Sequence, residues 1–108
     1  MAEDHEMHDE IVEMEQAADG AKAAVDAESG ANENVKDMVN RLHDRARDAK
    51  KAMEAGHRAS MLRLLEEAEE AADDARDAAE ADPVLSEGVK AVVREAHDKA
   101  KEARDAFR

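Results

Sequence analysis

The sequence predicts an all-α protein, an up-down-up-down antiparallel four-helix bundle built from two tandem copies of a 54-residue helical hairpin. Three observations lead there. The stretch His43–Met53, HDRARDAKKAM, returns as His97–Phe107, HDKAKEARDAF, at an offset of 54. Apolar residues recur at alternating spacings of four and three, the mark of helices that bury one stripe. Acidic charge is concentrated in the first and third of the four predicted helices.

Sliding the chain by 54 gives 18 identities in 54 pairs, in one register without a gap. They include Met7/Met61, Glu13/Glu67, Asp19/Asp73, Val35-Lys36 with Val89-Lys90, and His43/His97. Such self-similarity reads as a duplicated hairpin, residues 1–54 and 55–108, forming one domain. Neither hairpin can bury its seam alone, so the two close on each other. The competing arrangement is a pair of extended hairpins assembling between chains as a homodimer.

The first helix is expected over Asp4 to Glu28, with Asp4 as N-cap and Gly30 taking the left-handed conformation after it. Its seam is Met7, Ile11, Met14, Ala18, Ala21 and Val25. Gly20 interrupts this helix without shifting the seam's phase. The second runs from Glu33 to Ala55, capped by Asn32 and stopped by Gly56, on the seam Val35, Val39, Leu42, Ala46, Ala49 and Met53. The third spans Met61 to Ala81 with Ser60 as its cap, on the seam Met61, Leu65, Ala68, Ala72, Ala75 and Ala79. Asp82-Pro83 makes the next turn, because proline cannot continue a helix but can start one. The fourth runs from Pro83 or Glu87 to Phe107, on Val89, Val93, Ala96, Ala100, Ala103 and Phe107.

Bulky seam residues come early and alanines late in every helix. In antiparallel packing, large then meets small in each layer. Charge selects the ring order. Residues 3–28 carry ten acids and one base, and residues 60–82 nine acids and two bases. Residues 33–55 and 86–108 each carry five acids and six bases. With the acidic helices on a diagonal, each touches only near-neutral neighbours.

Composition excludes several functions. The net charge of −13 disfavours nucleic acid and anionic membrane surfaces, which need clustered Lys and Arg. No apolar run approaches the length of a membrane span, and the acidic start, MAEDHEMH, is unlike a signal peptide, so a soluble protein is expected. With no cysteine there is no disulfide framework or thiolate site. Ser29, Ser60 and Ser86 fall at expected helix ends, where capping explains them, and no phosphate-binding glycine loop is present. The chain is therefore expected to be non-enzymatic.

Metal ligation through His43, His97 and His8 is the chemical alternative, with a transition metal or haem as cofactor. His43 and His97 are equivalent in the repeat and both precede Asp. On a wheel they sit roughly 80° from the seam centre, a flanking place that fits partly buried structural histidines. The Glu-x-x-His pattern of di-iron bundles fails at both, where Asn40 and Arg94 stand three residues earlier. It occurs once, at Glu54–His57, across an expected helix end. A third reading is an acidic module that meets a basic protein partner. The leading expectation is a helical scaffold with no dedicated cofactor. Its narrow alphabet and duplication fit a constructed chain and equally a natural hairpin from a salt-adapted organism.

Overall fold

The computed structural model describes the backbone of residues 2–107 and the side chains of residues 8–107. Four helices follow one another: α1 (Ala2–Ala27), α2 (Glu33–Glu54), α3 (Arg58–Ala81) and α4 (Glu87–Ala106). Each packs on its neighbours in sequence, and α1 closes the ring on α4. The short connections make neighbours antiparallel, and α1 and α3 lie on one diagonal, the order that the charge pattern favours. The molecule measures 45 × 20 × 20 Å, somewhat longer than its longest helix and about two helix diameters across.

The seams form the core. Ile11, Met14, Ala18, Ala21 and Val25 of α1 are buried, as are Val35, Val39, Leu42, Ala46 and Ala49 of α2. All six expected positions of α3 are buried, joined by Ala71. In α4, Val93, Ala96, Ala100 and Ala103 are enclosed, and Phe107 closes the end. Two seam positions sit at the core's edge instead: Met53 is half-buried while Ala52 is enclosed, and Val89 packs against the core from outside. Alanine supplies more than half of the buried apolar positions, so the helices approach closely but each buried residue removes little apolar surface. The side chain of Met7, the first seam position of α1, lies outside the described residues.

Helix ends depart from expectation in three places. Ala2 is already helical, so Asp4 lies in the first turn of α1 and is not its cap. Arg58 starts α3, which places Ser60 inside the helix, and His57 at the N-cap position makes no side-chain cap bond. Gly56, with φ of 77°, is the left-handed residue, and Gly30 is not. The reason lies in the two turns. The α2–α3 turn has three residues, and its N–H groups fold back in a Schellman pattern: Gly56 donates to the Met53 carbonyl and His57 to that of Ala52. The α1–α2 turn is longer and has room to straighten before Asn32, whose Oδ1 caps α2 by accepting the Asn34 N–H at 2.8 Å. Gly30 answers a different need, because a Cβ there would stand 2.5 Å from Val84 Cγ1. Ser86 caps α4 as expected, its hydroxyl accepting the Val89 N–H.

Every cross-helix ion pair among the described residues joins an acid of α1 or α3 to a base or histidine of α2 or α4. Six of these seven pairs recur at the offset of 54; Arg94–Glu80 does not, because Asn40 stands where its arginine would be. Between the hairpins, Lys99 Nζ lies 3.2 Å from Glu13, and Arg45 Nε lies 3.1 Å from Glu67. Within them, Lys50 reaches Glu15 at 3.2 Å and Arg104 reaches Glu69 at 2.9 Å. This register sets Met14 level with Ala49 and Ala100, which is the large-against-small layering.

Candidate functional site

The antiparallel register of each hairpin places a carboxylate of the first helix opposite a histidine of the second. In the first half, His43 Nε2 lies 2.8 Å from Asp19 Oδ1, and His43 Nδ1 lies 3.4 Å from Asp44 Oδ1. In the second, His97 Nε2 lies 2.5 Å from Asp73 Oδ1, and His97 Nδ1 lies 3.3 Å from Asp98 Oδ1. Both rings thus have a carboxylate at each nitrogen. Where Nε2 is bonded to the cross-helix carboxylate it must be the donor, since an ionised carboxylate only accepts.

The two sites differ in enclosure and company. The His43 side chain keeps 20% of its exposure and sits in a shallow groove with Glu15, Asp19, Arg47 and Lys50. His97 keeps 10% and has Arg76 Nη1 at 3.2 Å from its Nε2. One turn before Asp73, Glu69 presents a second carboxylate from the same face of α3. Donor atoms of Glu69, Asp73 and His97 all lie within 4.8 Å of one another, the one such three-residue group among the described residues.

Two guanidinium groups, those of Arg76 and Arg104, stand against the carboxylates of Glu69, Asp73 and Asp98 here. Arg104 Nη1 binds Glu69, and the two side chains are only 19% and 14% exposed. Burial weakens the Arg104 charge, but Asp105, Glu69 and Glu66 outweigh it and hold the guanidinium above its ordinary pKa. Arg104 Nε is buried without a partner. At the α1–α4 face, where Glu102 and Lys99 stand near it, Glu10 Oε2 is also unpartnered. Burial first, then Glu102 and Glu13, push the Glu10 carboxyl above the usual range against the pull of Lys99.

The structure does not bring the sequence-predicted ligands together. His43 and His97 lie on diagonal helices, each engaged within its own hairpin. His8 is half exposed on α1, 3.9 Å from Asp9. Glu54 and His57 are both exposed on either side of the α2–α3 turn. Asp19 and Asp73 as histidine partners, and Glu69 beside them, escaped the sequence reading. The signal was present, because Asp19/Asp73, Glu15/Glu69 and His43/His97 are identities of the same offset. No protein-family model, curated protein or solved structure matches the chain.

Proposed function

We propose that this chain is a non-enzymatic helical scaffold, a bundle made from a duplicated hairpin whose histidines and charged rows bind helix to helix. One observation carries the reading: His43 meets Asp19 as His97 meets Asp73, in equivalent places of the two halves. A general base needs a free nitrogen directed at a substrate. Here all four ring nitrogens face carboxylates of the protein itself. Duplication is supported by the recurrence of the Glu13–Lys99 and Glu15–Lys50 pairs as Glu67–Arg45 and Glu69–Arg104.

The test is complementation of a strain lacking the gene. The scaffold reading expects the double variant His43→Gln, His97→Gln to restore growth as well as a core variant of matched stability, such as Val39→Ala. Loss of complementation by the histidine variant, with its melting temperature unchanged, would overturn the reading.

A second reading, an acidic module for a basic protein partner, is supported by the outer face of α3. Glu66, Glu70 and Asp74 stand one turn apart there and all are exposed. Capture of a basic partner that weakens with added salt is its expected outcome. Capture indifferent to salt contradicts it.

A further inference from the structure

We propose that Glu69, Asp73 and His97 bind one divalent transition-metal ion of the zinc class, which clips α3 to α4. The three side chains converge from two helices onto one point. Glu69 and Asp73 are four residues apart on α3 and share a face, and His97 meets them from α4. Around a tetrahedral ion with bonds of about 2.0–2.2 Å, two donors are separated by roughly 3.3–3.6 Å. The present limit of 4.8 Å is therefore closed by small side-chain rotations. His97 Nε2 and Asp73 Oδ1 lie 2.5 Å apart, so two donor atoms already stand side by side; the pair opens as the ion enters and the proton between them is released.

Asp98 prepares the ring for this. Its Oδ1 lies 3.3 Å from His97 Nδ1 on the side away from Asp73. With the Nδ1–H given to Asp98, the Nε2 lone pair is left for the ion, the carboxylate–histidine–metal arrangement that orients ligands in metal sites. Two ligands are largely enclosed, His97 at 10% and Glu69 at 14% exposure, while Asp73 at 40% opens toward solvent. The ion enters on the Asp73 side, and water completes its shell. One imidazole with two carboxylates suits zinc, cobalt or nickel. The imidazole disfavours magnesium and calcium, and the carboxylates disfavour copper(I).

The surrounding charges set the strength. Arg104 occupies Oε2 of Glu69 and leaves Oε1. Arg76 stands 3.2 Å from the same His97 nitrogen that the ion needs. It already reaches Asp77 at 3.3 Å and is 39% exposed, so it can turn outward to that partner. Both guanidinium groups oppose a cation, so the site binds moderately, and removal of Arg76 strengthens it. In the first half, Glu15, Asp19 and His43 do not form a group within the same distance, so that half is expected to bind no ion.

The test is calorimetric titration of the chelator-treated full chain with zinc chloride at neutral pH, with cobalt(II) absorption as a second readout. The expected result is one ion per chain, with proton release. His97→Ala and Asp73→Asn weaken binding at least tenfold, His43→Ala leaves it unchanged, and Arg76→Ala tightens it. Circular dichroism checks that the variants are folded, and Arg76→Ala decides the matter if His97→Ala is not. No heat with zinc, binding that survives His97→Ala in a folded chain, equal loss with His43→Ala, or no gain with Arg76→Ala would each overturn the proposal.

Discussion

Glu28, at the end of α1, accepts the backbone N–H of Ser86, the N-cap of α4, at 2.8 Å. The other half returns the contact in kind. Asp82, at the end of α3, accepts the N–H of Asn32, the N-cap of α2, at 2.9 Å. Asn32 and Ser86 are 54 apart, as are Glu28 and Asp82. Each half therefore ties its first helix to the start of the other half's second. N–H groups at the N-cap have no partner within the helix, so an acid from across the bundle satisfies them and favours the helix dipole as well.

Asp82 is the stronger of these two ties. It is buried and also accepts the N–H groups of Val84 and Leu85 through Oδ1. The Asn32 N–H, then that of Val84, holds its carboxyl below the ordinary carboxylate range, with burial opposing. A depressed acid stabilises the fold at pH above its unfolded value, and the contribution is lost as pH falls through the folded value. Asp82→Ala is thus expected to lower the melting temperature by several degrees at neutral pH. The gap from the parent protein should shrink as pH falls below about 4. Thermal melts of both proteins across acidic pH check this.

Glu10 runs the other way. Its raised pKa means that the folded state holds the proton more tightly than the unfolded chain. Stability is then lost as pH rises through the folded value, and the fold carries a penalty at neutral pH. Glu10→Gln removes both the repulsion from Glu102 and Glu13 and the buried charge. Its melting temperature should exceed that of the parent at neutral pH and match it at pH below about 4. Thermal melts of both proteins at the two pH values would show it.

Two glycines should respond in opposite directions. Gly20 lies inside α1 with no atom within 4 Å of where a Cβ would stand, so Gly20→Ala meets no obstacle. Alanine there should raise stability by about 0.5–1 kcal/mol through reduced backbone freedom in the unfolded chain. Gly56 has φ of 77°, where a Cβ is strained, and Gly56→Ala should cost about 1–2 kcal/mol. Urea unfolding of the two variants against the parent reads both effects.

The seams were legible because burial has a period that residue type reveals. Ile11, Met14, Ala18, Ala21 and Val25 announce one stripe, and that stripe is buried. The ring order was legible because nine acids on α1 and eight on α3 cannot comfortably adjoin. The histidine partners were not, since a seam gives the register of antiparallel helices only to about a turn, and a turn decides whether Asp19 or Glu15 faces His43. The ties at Glu28 and Asp82 were hidden for a related reason. Residues that read as helix stops make contacts across the bundle, and no local pattern records which loop lies beside which. Gly30 was misread because two different physical needs select glycine, a positive φ and a close neighbour, and the sequence shows only the glycine.

The equivalence of His43 and His97 as cross-helix ties is the claim on which the scaffold reading stands, and one set of unfolding curves tests it most directly. His43→Ala, His97→Ala and the double variant are unfolded in urea at neutral pH with a chelator present. Each single change is expected to cost about 1 kcal/mol, the scale of a partly exposed charge-assisted hydrogen bond. Because the two histidines share no partner, the double variant should lose the sum. A loss at one position only, or no loss at either, would contradict the account.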